Sequence, residues 1–219
     1  MKTITLVFTF LISFNSFAGT PAFNEAMKTA LTQFGQSKNV SDFQNTANTF
    51  QRIANSAQNE WLPEYYQAQC YILMSFMDKD AIQKDAYLDI AEKAINSMLA
   101  KAPKNSEVYA IQGFMYTARL VVDPVNRGRE YSILSMESLK KSLHFNPQNP
   151  RALYLQLSNE IGTAKFFGSD VSMYCERINT LIENWDDYNK AEPLYPSWGE
   201  KQAQGLTENC TETKTDSIK

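Results

Sequence analysis

Leu62 to Asn105 reads LPEYYQAQCYILMSFMDKDAIQKDAYLDIAEKAINSMLAKAPKN, and Ser106 to Asn149 reads SEVYAIQGFMYTARLVVDPVNRGREYSILSMESLKKSLHFNPQN. Laid over one another without a gap, the two stretches pair Tyr65 with Tyr109, Tyr87 with Tyr131, Ile90 with Leu134 and Ile95 with Leu139. Leu99 then meets Leu143, Pro103 meets Pro147 and Asn105 meets Asn149, each pair 44 residues apart. One or two such matches arise by chance. An ordered set that closes on the same Pro-x-Asn in both stretches marks a tandem repeat, and a repeat at a fixed period decides the architecture of a chain. A unit of two helices has one apolar face that it cannot bury alone, so the neighbouring unit must cover it. Pro103 and Pro147 end the second helix of each unit, because proline disfavours helical geometry in the residue before it. The Asn that follows each of them opens the next unit.

Working outward, apolar residues recur at three- and four-residue intervals through nearly the whole chain after the first eighteen residues. The periodicity predicts helices over about 23–36, 42–57, 63–77, 85–101, 106–121, 131–145, 151–164 and 171–187. Ser41 with Gln44 forms a capping-box pattern, and Asn149 before Pro150 reads as an N-cap with proline at the first helical position. The eight glycines and eight prolines fall between periodic segments, which favours helices over many short strands. The fold class is therefore all-α: antiparallel helical hairpins stacked as a short superhelix. The clear units are 62–105 and 106–149, with degenerate flanking units over about 23–61 and 150–193. Together they make one domain over 19–210. The polar end 211–219 reads as disordered.

In the second unit Tyr109, Gly113 and Tyr116, then Ser135, Leu139, Ser142 and Pro147, follow the aromatic, small and bulky pattern of a tetratricopeptide (TPR) unit. Tyr65, Ala68, Ala91, Ile95 and Pro103 do so in the first. The chain resembles the TPR superfamily on these residues, and departs from it by about ten residues beyond the usual 34 of that repeat. The extra residues are expected as extended loops between the two helices of each unit, at Met77–Lys84 and Val121–Glu130. The resemblance implies that the first helix of each unit lines a concave face that binds extended peptides or partner helices. Tyr66, Cys70 and Leu73, then Ala110, Phe114 and Thr117, then Tyr154 and Ser158 are the residues it brings to that face. Against an open groove stands an array so short that its ends fold over and fill it. EWLPEYY, DPVNRGREY, NPRALYL, FFG and PLYPSWG also resemble segments of a group of exported bacterial TPR-like proteins, which implies export and fold but no reaction.

Lys2, the uncharged apolar run Ile4–Phe14 and the small residues of Ser16-Phe17-Ala18 compose a secretory leader over 1–18. An uncleaved N-terminal anchor is the alternative. The run is shorter than the ~20 residues that span a bilayer, and no second run follows, so the mature chain is expected to lack a transmembrane segment. Without Lys2 the balance is 20 basic against 24 acidic residues, evenly scattered, which offers no footprint for nucleic acid. An exported chain with Cys70, Cys175 and Cys210 has room for one bridge, and Cys175 with Cys210 is the favoured pair, against no bridge at all. Cys70, in an apolar helical stretch, reads as a buried free thiol.

Chemistry-bearing motifs are sparse. The one histidine, His144, sits near the end of a predicted helix, where a cation suits the helix dipole. One His and three dispersed Cys lack the spacing of a zinc site. Phosphate loops, nucleophile elbows and dinucleotide fingerprints are not found, so no enzyme activity and no cofactor are expected. Arg127 and Arg129 flank Gly128, and their planar guanidiniums suit a carboxylate or another anion. Alternatively, one of them pairs with an acid of a neighbouring unit. PLYPSWG is expected to cap the last hairpin with Trp198 as its anchor. The leading expectation is an exported scaffold in the periplasm or outside the cell that binds a protein or peptide. A small-ligand or hydrolytic site beside Arg127 and Arg129, and a structural subunit of an envelope assembly, are the alternatives.

Overall fold

Asn105 and Asn149 hold their side chains over the first turn of the helix each precedes, accepting from Glu107 N at 2.9 Å and Ala152 N at 3.0 Å. These caps recur at the repeat spacing because each satisfies backbone donors that the helix start leaves unpaired. The structure is a computed structural model that describes residues 19–189 and 192–212. Helices α1 (Pro21–Gln36), α2 (Val40–Ser56), α3 (Leu62–Met77), α4 (Ala81–Lys101), α5 (Ser106–Val122), α6 (Pro124–Phe145) and α7 (Pro150–Phe166) follow one another. A 3₁₀ turn over Ser172–Tyr174 then leads into α8 (Cys175–Glu183), α9 (Trp185–Tyr188), α10 (Glu200–Gly205) and α11 (Glu208–Glu212). No strand occurs among the described residues, so the protein is all-α, built of hairpins that pack in chain order. The leader read over 1–18 lies outside the described residues, as does the tail from 213 onward.

The repeat spacing appears in the helices themselves. Helices α3 and α5 begin at Leu62 and Ser106, and α4 and α6 end at Lys101 and Phe145. Within the second unit the backbones approach closely. A Cβ on Gly113 would lie 2.7 Å from Leu139 Cδ2, and the Ser135 hydroxyl donates to Gly113 O at 2.9 Å. The small residues Gly113, Ser135 and Ser142 thus let α5 and α6 pack tightly, with Ser142 donating to Ser106 O at 2.8 Å.

Two features of the sequence reading are corrected. The expected inter-helix loops are absent: α3 joins α4 through 78–80, and α5 joins α6 through Asp123 alone. The extra residues lengthen the second helices to 21 and 22 residues. Asp80 caps Ile82 N and Gln83 N, while Asp123 caps Asn126 N just before Pro124 starts α6. These added turns project past their neighbours. Ile82 and Val125 stay exposed, so the turns carry no apolar stripe for periodicity to reveal. The second correction moves the start of α2. Asn39, not Ser41, is its N-cap, accepting from Asp42 N at 3.0 Å while Asp42 accepts from Lys38 N.

The main core runs through α1 to α5 and includes Met27, Phe50, Tyr65, Ile72, Leu88, Ile95 and Met115. A second cluster, with Leu157, Ile161, Ile178, Leu181, Trp185 and Ala203, ties α7 to α8, α9 and α10. Cys175 and Cys210 are joined by a disulfide across that cluster. Cys70 is a buried free thiol, and burial pushes its pKa well above the ordinary cysteine range. No helix among the described residues is long and apolar enough to cross a membrane.

Candidate functional site

Tyr66, Phe114 and Tyr154 come together on the inner face of α3, α5 and α7, where the reading of the repeat puts a groove. They do not line an open one. Glu192–Gly199 returns as a strap and covers them. The Tyr66 hydroxyl donates to Leu194 O at 2.9 Å, and Trp198 Nε1 donates to the Tyr65 oxygen at 2.8 Å. The Trp198 indole stacks on Phe114 with centroids 5.3 Å apart and meets Tyr154 edge-on at 6.5 Å. Tyr195 packs edge-on against Trp61 at 5.5 Å. PLYPSWG therefore fills the concave face instead of capping the last hairpin, because four aromatic rings of α3, α5 and α7 give its own two rings more apolar surface.

Thr117 lies deeper. Its hydroxyl is within 3.0 Å of Ser135 Oγ and 3.2 Å of Asn159 Oδ1, which ties α5, α6 and α7 together. Ser158 is half-buried beside Tyr154, whose phenol burial pushes upward against a hydrogen bond from Ser158.

Beneath the strap sits a buried ion pair. Arg151 donates from Nε and Nη2 to the two carboxylate oxygens of Glu107, each at 2.7 Å, and from Nη1 to Asn189 Oδ1 at 2.7 Å. Asn149 Nδ2 supplies a further donor to Glu107 at 2.7 Å. Burial alone lowers the Arg151 pKa, and the hydrogen-bonded carboxylate more than reverses this. Such a pair costs desolvation that only full hydrogen bonding offsets. Here every donor is directed, so it fixes α7 on α5 and supports the strap.

Arg127 and Arg129 do not form an anion clamp. Both lie in the first turns of α6, two residues apart, and residues at that spacing do not share a helix face. Arg127 holds Asp85 in a two-point contact at 2.7 and 2.8 Å, while Arg129 is exposed. Arg119 joins Asp85 at 3.0 Å, Glu92 at 3.2 Å and Asp89, so these charges lock α4 to α5 and α6. The Arg127 contact holds the Asp85 carboxyl below its ordinary range, with Arg119 adding to the effect. His144 is exposed in the last turn of α6. Among the described residues no group of three or more His, Cys, Asp and Glu is placed to hold a metal.

An open cavity lies elsewhere, between α6 and α7. It has a volume of about 670 Å³ and is lined by Ile133, Met136 and Lys140 of α6, Asn159 and Ala164 of α7, and Phe167, Met173 and Tyr174 beyond. The volume falls within the range of small-molecule sites. Helix α7 stops at its mouth because Gly168 adopts a left-handed φ of 67°. That conformation lets Ser169 N reach Ala164 O at 2.8 Å, a helix-ending pattern in which glycine is favoured. The turn leaves two consecutive rings at the rim, Phe166 and Phe167, 69% and 74% exposed, beside Met173 at 73% and Ile133 at 51%. Large apolar side chains this open, grouped at a cavity mouth, mark a contact surface.

The walls of this groove are built from fixed groups. Asn159 donates to Ser135 Oγ at 2.9 Å on one side. On the other, Arg177 pairs with Glu160 and lies 5.9 Å from the centre of the Tyr174 ring. Asp170 accepts from Ser172 N at 2.9 Å and shapes the turn that carries Met173. Lys140 has no acidic partner within ion-pair distance among the described residues. Reading the sequence for repeats missed this site. Its signal is the doublet Phe166-Phe167, since two adjacent rings at a helix end cannot both face one core.

No family model matches the sequence, and no curated protein matches it. A solved structure does: the chain is similar to the HusA haemophore from Porphyromonas gingivalis, with a TM-score of 0.74 and 27% identity over 88% of this chain and 95% of that one.

Proposed function

We propose that this protein is an exported binding protein of haemophore type, which takes a flat apolar macrocycle of the porphyrin class into the α6–α7 groove. The observation that carries the reading is the exposed rim of Phe166, Phe167 and Met173 on the 670 Å³ cavity. Aromatic faces and a polarisable thioether gain most by covering a planar conjugated ligand. The likeness to the HusA haemophore, over nearly the whole of both chains, supports the same class of cargo. A leader over 1–18 belongs to this reading, because a haemophore works outside the cytoplasm.

The groove fits a porphyrin chemically. Met173 and Tyr174 are residue types that ligate haem iron, and both line the cavity. Lys140 is the one cation of the lining without an acidic partner among the described residues, and it serves an edge carboxylate of the ligand. Glu137 and Asp170 line the same cavity and direct further carboxylates toward water. With little charge to offer the ligand, recognition rests on the macrocycle faces. The role is binding and transfer rather than a chemical step.

Titration of the mature chain with haem, and separately with metal-free protoporphyrin, tests the proposal through the Soret band. A saturable shift at micromolar ligand, weakened at least tenfold by Phe167→Ala with Met173→Ala, is the expected result. No saturable change in either titration contradicts it.

A further inference from the structure

The strap over the concave face is seated like a bound peptide. Leu194 has a φ of 75°, in the left-handed region that a branched side chain avoids. Its conformation is therefore imposed by contacts and not by local preference. Those contacts are a backbone acceptor, Leu194 O, met by the Tyr66 hydroxyl, and two pegs three residues apart, Tyr195 against Trp61 and Trp198 on Phe114. Pro196 between the pegs is buried and keeps the segment extended. The receiving surface is complete without the strap's help: Tyr65 and Tyr66 are fixed in the main core, and Arg151 and Glu107 hold each other beneath.

Downstream, the strap runs into α10 and then to Cys210, bonded to Cys175. It is thus part of a tethered loop. A tethered ligand meets its site at an effective concentration on the order of millimolar, which excludes weaker competitors in solution.

We infer that the concave face of α3, α5 and α7 is a second binding site, for an extended segment of a partner protein with the pattern aromatic-Pro-x-Trp, and that strap 192–199 is its built-in competitor. The site is separate from the α6–α7 groove and does not depend on what that groove binds. The partner segment places a carbonyl opposite Tyr66, a ring against Trp61 and an indole on Phe114 with its N–H toward Tyr65. When it enters, the strap leaves and Leu194 relaxes to an ordinary φ.

The test uses the full mature chain with its disulfide intact and a fluorescein-labelled peptide EPLYPSWG, the sequence of residues 192–199. Fluorescence polarisation is compared for the wild type and for Tyr195→Ala with Trp198→Ala, which empties both seats. The double variant is expected to bind the peptide at least tenfold more tightly than the wild type, and to ignore the same peptide with its Trp changed to Ala. Where the double variant fails to melt cooperatively, Trp198→Phe, which keeps a ring on Phe114, is expected to gain several-fold. Equal binding by the wild type and the folded variant overturns the inference. So does a gain that survives loss of the peptide's Trp, or a variant that closes the face by dimerising through exchanged straps.

Discussion

Trp198 Nε1 donates to the Tyr65 oxygen at 2.8 Å across 133 residues of chain, joining the C-terminal strap to the first turn of α3. Tyr65 is fully buried, and burial pushes its phenol well above the ordinary tyrosine range, so it stays neutral and able to accept. Trp198→Ala is expected to cost about 2–3 kcal/mol, less than the roughly 3–5 kcal/mol of a fully buried Trp, because Trp198 is half-buried. Trp198→Phe keeps the ring on Phe114 but leaves the Tyr65 oxygen without this donor, for about 1 kcal/mol. Urea denaturation of the three proteins checks the order. A Trp198→Phe variant as unstable as Trp198→Ala would show that the stack contributes nothing.

The Glu107–Arg151 pair makes a second prediction. Removing one partner leaves the other charge buried and alone, so Glu107→Gln or Arg151→Met is expected to cost about 3–5 kcal/mol. Removing both with Glu107→Gln and Arg151→Met is expected to cost much less than the two single changes together, since neither charge is left behind. A double-mutant cycle by denaturant unfolding reads the coupling, and additive losses would deny it.

Asp85 sets an acid limit on stability. Its folded pKa is depressed, chiefly by the Arg127 contact. The unfolded chain therefore binds its proton first as pH falls, and stability that is fully present above the ordinary Asp value of about 3.9 is lost as pH drops through the folded pKa. Unfolding free energies between about pH 5 and pH 2 are expected to fall more steeply for the wild type than for Asp85→Asn. Parallel curves would remove Asp85 from the account.

Gly113→Ala tests the close α5–α6 approach. Alanine favours the helix by about 1 kcal/mol, but its methyl group would lie 2.7 Å from the buried Leu139 side chain. Overpacking costs about 1–3 kcal/mol, so a net loss of about 1 kcal/mol is expected in the melting free energy. A gain would mean that Leu139 has room to move.

Where a helix buries one face, the sequence carries its outline. Helices α3, α5 and α7 are legible from their apolar spacing and from Pro103, Asn105 and Asn149. The first turns of α4 and α6 are not, because Ile82 and Val125 face water and no stripe forms. Helices α10 and α11, of 6 and 5 residues, are too short for a period to show. The aromatics Tyr66, Phe114 and Tyr154 are legible as a common face, but their occupant is not. Contacts between residues 128 and 133 apart leave no local pattern. The α6–α7 groove is half-legible: Phe166-Phe167 stands out as a doublet, while Met173 joins it only through the turn that Gly168 and Asp170 make.

Backbone amide shift mapping with metal-free protoporphyrin, on isotope-labelled mature protein, tests the porphyrin-binding groove most directly, since it asks where the ligand sits as well as whether it binds. The groove account predicts perturbations centred on Ile133, Met136, Phe167 and Met173, with the amides around Tyr66, Phe114 and Trp198 unchanged. Perturbations centred on the strap and the concave face instead, or none at saturating ligand, would contradict it.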